Sequence, residues 1–484
     1  MSFFVLPAIS TVWIAGLAYL LWLKTRSLVF VFGGLALYFW SIHGAWGIIY
    51  EKSVGNSELL RYHYIERTLF SIALNDSYFA TLLYYALFCI LVLSVALIFT
   101  TGRSYRKNAP AECLAAPNHT ILLAFSVLCG VLSYLLIANV FARAVVLGQT
   151  GYAAVGMETV QFFTIHQILG RAALYVALIG FAILLCGPNA VYFAANFKWH
   201  HLAAYLTVLL VLVGYMMLLG DKNELFGGFV LAALLYIANH RAPRVGRMVV
   251  ASVFLFLLVA SVDYLRGFAL LSGGVSKITL GDFLRVTSSI FFSNEAFAAH
   301  FSMYGAVHFG LKPSLGEGIK AFLFSVIPRN IWPDRPVGTY AFYVKGVNAL
   351  PGHGYTIHHA TAWYLDFGVA GIILGAILLG TIWTSLYNRF ARGQFGVSLL
   401  ANIFWVIAPF SFTAYFPNII RAGIGVYKGV IIGAFIFPVL ALYLACVRWR
   451  ILPWQRSGRK DNDIGTGNIP GTGVEGGAVA DSQC

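Results

Sequence analysis

Charged side chains are scarce in this sequence. They make up 10% of its 484 residues, against about 25% in ordinary soluble domains. Cysteine is equally uninformative as a scaffold. Cys89, Cys129, Cys186 and Cys446 lie within or at the ends of apolar runs, with Cys113 and Cys484 in a loop and the tail. No spacing among them matches a disulfide framework or a zinc site. There is no G-x-x-x-x-G-K-[ST] and no H-E-x-x-H, which argues against a P-loop ATPase and a zincin. The N-terminus has no basic n-region and no A-x-A-like cleavage site, so the first apolar run is expected to be an uncleaved anchor. No internal repeat is visible, so the inverted halves of many transporters are missing.

What is abundant is apolar length. The chain is 60% hydrophobic, with mean hydropathy +0.79, and apolar runs of membrane-spanning size recur along it. A bilayer core of about 30 Å needs roughly 20 such residues per helix. The expected fold is therefore all-α, a polytopic membrane protein of about eleven spans. They fall near 3–23, 28–50, 77–100, 119–142, 167–186, 202–220, 225–239, 248–265, 367–388, 396–416 and 426–447. This divides the chain into an N-terminal bundle (1–265), a large loop (266–366), C-terminal spans (367–447) and a tail (448–484). The tail opens basic and turns Gly-rich and polar, too poor in apolar residues to fold.

The net charge of +14 could point to nucleic acid, but much of it sits in short loops. Lys24, Arg26, Arg103, Arg106, Lys107, Lys198, Arg241, Arg244, Arg247, Arg389 and Arg392 follow every second span, and the tail opens with Arg448 and Arg450. Basic connections of this kind mark the cytoplasmic side. The expectation is an external N-terminus, a cytoplasmic C-terminus and an external 266–366 loop, with no nucleic-acid partner.

Much of the remaining charge gathers in the second half of that loop. It holds Glu295, Glu317, Arg329, Asp334, Arg335, Lys345, His353, His358, His359 and Asp366. Stretches such as NEAFAAHFSMYGAVHF and GEGIKAFLFSVI read as amphipathic helices lying against the membrane. Prolines 328, 333 and 336 then hold RNIWPDRP extended. Arg329 and Arg335 suit bidentate binding of phosphate oxygens, or alternatively lipid headgroups or Asp334. In GHGYTIHH, Thr356 is expected to cap a helix starting near Ile357. His359, Trp363 and Asp366 then share one helical face. A near-neutral histidine is a natural general base for a hydroxyl. Three histidines in seven residues also invite a metal, but no local carboxylate or cysteine completes a set, and none is expected.

Outside the loop, Asp221, Lys222 and Glu224 interrupt apolar sequence, either as a satisfied turn or as functional groups. Arg143, Arg171, Arg266 and Arg421 lie near external span ends, where snorkelling is the plain account. Asp461-Asn462-Asp463 is the only D-x-D, and it sits in the tail.

This combination resembles the Wzy-type O-antigen polymerases (oligosaccharide repeat unit polymerases). The shared features are about a dozen spans, a late external loop, the GDKNE element and a histidine-bearing lead into WYLDFGVAGIILG. The local similarity is strongest over Tyr364–Gly371, an aromatic-x-x-Phe-Gly-x-x-Gly run; Asp221-Lys222 departs from the Gly-x-Arg of many relatives. The resemblance implies polymerisation of undecaprenyl-diphosphate-linked oligosaccharide in the bacterial inner membrane, at its periplasmic face, with no cofactor. Membrane lipids, a chain-length regulator and a flippase are the other implied partners. The diphosphate would need cations, for which Arg329, Arg335, Lys222, Arg266 and Arg421 are candidates. The base would be His353, His359, His358 or Glu295, with Trp332, Tyr340, Tyr355 and Trp363 stacking on sugars. An O-antigen ligase has a similar plan, and a transporter is the alternative from another class.

Overall fold

The computed structural model describes residues 2–54, 72–102, 116–146, 163–187, 190–193, 195, 197–219, 222–240, 296–325, 327, 332–336, 338–348, 356–393, 398–423 and 431–447, and positions 253, 257 and 261. Helix accounts for nearly all regular structure there; an isolated Ala190–His240 bridge is the β pairing among the described residues. In order the helices are α1 Ser2–Thr25, α2 Leu28–Tyr38, α3 Gly44–Val54, α4 Asp76–Phe99, α5 His119–Val146, α6 Phe163–Cys186, α7 Trp199–Leu219 and α8 Lys222–Asn239. There follow α9 Ala296–His308, α10 Glu317–Phe324, α11 Thr339–Gly346, α12 His359–Ala391, α13 Leu399–Ala422 and α14 Phe437–Cys446. A π turn at Phe39–His43 joins α2 to α3, and a second at Ile431–Ile436 leads into α14.

Eight helices among the described residues are long and apolar enough to cross a membrane, so this is a multi-pass membrane protein. Two shorter apolar helices, Asn223–Asn239 and Ile431–Cys446, stand where two further spans are expected. The span expected near 248–265 lies outside the described residues except for positions 253, 257 and 261, and the tail lies outside them as well. Lipid-facing positions are apolar in the expected way: Val12, Ile98 and Leu210 are 70–76% exposed. Water would make such exposure costly, whereas acyl chains match it. Helix α6 is the most enclosed of the eight.

Contacts between helix ends define two faces. On one, Lys24 Nζ donates to Leu97 O at 2.7 Å, Asn388 Nδ2 to Phe99 O at 2.7 Å, and Thr101 Oγ1 to Asn388 Oδ1 at 3.0 Å. Tyr192 packs on Phe390, the Asn239 amide oxygen accepts from Tyr192 N, and Asn118 N donates to Ala445 O. The helix ends carrying Lys24, Arg26, Lys198, Arg389 and Arg392 thus lie together. On the other face, Phe3 stacks near Tyr78, and Asn75 Nδ2 donates to Tyr304 of α9 at 3.3 Å.

The loop helices do not all lie on the surface. The stretch read as a membrane-surface helix, α9, is buried along Ala299–Ala306, packed among α3, α4 and the first π turn. Its small residues allow that approach. Helix α12 is bent at Phe367–Gly368, where Gly368 has φ 63° and ψ −147°, a conformation that only glycine adopts without strain. A Cβ at Gly371 would sit 2.0 Å from Trp363 O. The Phe-Gly-x-x-Gly run therefore has a mechanical meaning, letting the first two turns of α12 fold across the head of its membrane leg. The boundary drawn at 366/367 coincides with this bend. The cap also differs from expectation: His358, not Thr356, is the N-cap, its Nδ1 accepting from Ala360 N at 3.1 Å.

Candidate functional site

Opposite the basic face, four elements converge on one buried polar cluster. The first π turn supplies Ser41, α4 supplies Tyr78 and Tyr85, α9 supplies His300 and Ser302, and the head of α12 supplies His358, His359 and Thr361. A π turn widens a helix locally and is frequent at functional sites; this one places Ser41 toward α12. Ser41 Oγ lies 3.0 Å from His358 Nε2. Since His358 Nδ1 accepts the Ala360 N–H, the neutral ring must carry its proton on Nε2 and donate it to Ser41. Ser302 Oγ receives His358 N at 3.2 Å, lies 3.0 Å from Thr361 Oγ1 and reaches Ala299 O at 2.7 Å. The Tyr85 hydroxyl donates to Ala299 O, and its ring is edge-on to His358 at 4.4 Å and to His300 at 5.1 Å.

His359 is committed in a different way. Its Nε2 accepts from Trp363 Nε1 at 3.0 Å, so the lone pair that would take a proton is already used. Asp366 leaves the shared face with His359 and Trp363. It accepts from Ser314 Oγ at 2.8 Å, Gly318 N at 2.9 Å and Ile319 N at 3.1 Å, capping α10. A carboxylate suits that helix N-terminus.

His300 stands apart. It is fully buried, and neither ring nitrogen has a hydrogen-bond partner. The buried Tyr78 hydroxyl, on a ring 6.1 Å away, is equally unsatisfied. Burial pushes the His300 imidazole down to about 3, with His43 adding to the shift and the Ser41 backbone opposing it. Burial first, then His359 and His300, hold His358 well below the usual histidine range. The cluster is therefore neutral near pH 7, with open nitrogen atoms at His300. Sequence reading quoted the segment containing His300 without singling it out. Its signal was a histidine in an otherwise apolar helix.

The expected residues fare unequally. Arg421 meets the cluster's edge: its guanidinium lies 5.7 Å over Trp40, beside Ser41, and the helix end at Gly423 abuts Ile357 and His358. Arg335 is half-buried, and its Nη1 donates to Ser325 O at 3.1 Å and Ile327 O at 2.8 Å. It organises its own loop rather than presenting a free fork. Trp332 is partly exposed and edge-on to Phe324 at 5.3 Å. Lys222 begins α8, with its side chain outside the described residues; Arg143 ends in α5 under the same limit. Glu295, Arg266, Arg329, His353 and Tyr355 all lie outside them. Of the GDKNE element, Glu224 pairs with neither Lys222 nor Asp221. Its carboxylate takes the Arg171 guanidinium through Nε at 2.6 Å and through Nη2, and accepts Tyr415 OH at 2.7 Å.

Among the described residues no group of three histidine, cysteine or acidic side chains is placed to hold a metal. The cavity that stands out, about 310 Å³, opens at the far end of α12, away from the histidines. No protein-family model matches the chain, and no curated protein and no solved structure matches it either.

Proposed function

We propose that this protein is a Wzy-type polymerase of the bacterial inner membrane with eleven spans. Its N-terminus is outside, its C-terminus cytoplasmic and its 266–366 loop periplasmic. In the reaction, a hydroxyl of one lipid-linked repeat attacks the anomeric carbon of the growing chain. The bond from that carbon to undecaprenyl diphosphate breaks, and the hydroxyl proton passes to a base. The observation that carries the reading is the docking of loop helix α9 against the head of α12. It brings His300, His358 and His359 together near Arg421, on the face opposite the basic helix ends. The positive-inside rule makes that face external.

In this reading Arg421, with Arg329, Arg266 and Lys222, offsets the charge growing on the diphosphate. Arg335 keeps the loop in shape. The base is His300, His353 or Glu295, because His358 and His359 already use the nitrogen each would need. Trp332 and Tyr355 supply ring faces for sugars. Glycan gels from a deletion strain test the function: loss of the long ladder with single-repeat species retained is the expected result. Complete loss of capped core would indicate a ligase instead. An externally active reporter is expected to work at Val347 and fail at Gly393; the reverse would overturn the orientation.

A further inference from the structure

The cavity at the basic face lies between the last turns of α12 and the first turns of α13. Ser385, Leu386, Asn388, Arg389, Arg392 and Trp405 line it. Its volume of about 310 Å³ falls at the low end of the roughly 300–1,000 Å³ of small-ligand sites. Arg389 lies 4.2 Å over the Trp405 ring, which fixes its guanidinium at the cavity wall. Asn388, held by Thr101 and Phe99, ties that wall to α4. No carboxylate lines the cavity. Two guanidinium charges outweigh the negative end of α12, worth about half a charge, so the cavity favours an anion.

The approach to the cavity identifies the anion's source. Leu374, Ile377, Leu378 and Ile382 of α12 are 36–51% exposed and run at helical spacing straight to Ser385 and Arg389. This is an unbroken lipid-facing stripe ending in a cationic, tryptophan-edged cup at interface depth. A soluble anion would make no use of the stripe, whereas the acyl chains of a phospholipid would lie along it.

We propose that this cavity binds the headgroup phosphate of an anionic membrane phospholipid, one per chain, on the face opposite the histidine cluster. Arg389 and Arg392 hold the phosphate, and the α12 stripe holds the acyl chains. The site is independent of which glycan reaction the other face performs.

The test is native mass spectrometry of the full chain purified in detergent with mixed phosphatidylglycerol and phosphatidylcholine. One phosphatidylglycerol should be retained over phosphatidylcholine by about tenfold. The double variant Arg389→Gln, Arg392→Gln should lose that preference, and the double Lys variant should keep part of it. Arg26 packs on Trp22 at 4.4 Å on the same face but lines no cavity, so Arg26→Gln should leave the preference intact. Thermal unfolding of each variant separates lipid loss from misfolding. Equal retention of both lipids, a preference that survives the double Gln variant in folded protein, or equal loss in Arg26→Gln would overturn the proposal. So would displacement of the lipid by millimolar glycerol phosphate, which would mark a site for soluble phosphoryl compounds.

Discussion

Arg171 and Glu224 neutralise each other inside the bundle, whereas His300 and His358, buried in the same loop-side half, carry no charge and leave nitrogen atoms open. The ion pair is bidentate, with Tyr415 closing the remaining side of the carboxylate and the guanidinium held over the Tyr415 ring at 5.5 Å. It joins α6, α8 and α13, three spans distant in sequence. The histidine cluster joins the first π turn, α4, α9 and α12, and its hydrogen bonds stop short of His300. The difference separates two uses of buried polarity. A closed pair fixes helix positions, and an open neutral cluster keeps capacity for a substrate group or water.

The sharpest way to break this comparison is to remove half of the pair. Glu224→Ala leaves a buried guanidinium uncompensated and is expected to cost about 3–5 kcal/mol in denaturant unfolding in detergent. The double variant Arg171→Met, Glu224→Leu should recover most of that loss. If the double variant is as unstable as the single, the pair is more than a clamp.

Next comes activity. His300→Gln is expected to slow polymerisation of purified lipid-linked repeats by roughly two orders of magnitude, a typical general-base contribution, with stability near that of the parent. The double variant of the ion pair should retain the parent rate. Opposite results for the two variants would exchange the roles assigned to the clusters.

A smaller effect is the pH dependence of stability. His300 titrates near 6.5 when unfolded and at about 3 when folded, so the unfolded chain binds the extra proton between those values. Its contribution is level above about pH 6.5, and stability then falls with acidification toward pH 3. The slope is up to ~1.4 kcal/mol per pH unit. Replacing His300 by Gln should flatten it, and an unchanged acid limb would place the titrating group elsewhere.

The smallest expected change is at the edge of the histidine cluster. Asp366→Ala removes the α10 cap at a cost of about 1 kcal/mol, and amide exchange over Glu317–Phe324 should quicken by somewhat under tenfold. No change would mean that Ser314 and the backbone hold α10 unaided.

Much of the fold was legible because bilayer thickness imposes a length on apolar runs, and the chain has few charges to blur them. The loop–membrane junction was legible in part. WYLDFGVAG announced a special backbone, and Gly368 has one. The sequence could not show that Asp366 turns back to α10 while His359 bonds Trp363. Helical spacing places residues on a face but does not bend the helix or choose their partners. Arg335 read as a phosphate fork for the same reason: residue type carries its chemistry, and nearby carbonyls claimed it first.

Composition and charge alternation by themselves determined that this is a multi-pass helical membrane protein with its basic ends segregated, because desolvating charge and unpaired backbone in hydrocarbon leaves few alternatives. Tertiary structure alone decided that Glu224 belongs to Arg171, that α9 is buried rather than lying on the membrane, and that His300 stands open beside His358 and Ser41. These choices join segments up to about three hundred residues apart. They depend on which helix faces meet, a matter of packing complementarity that local periodicity does not encode.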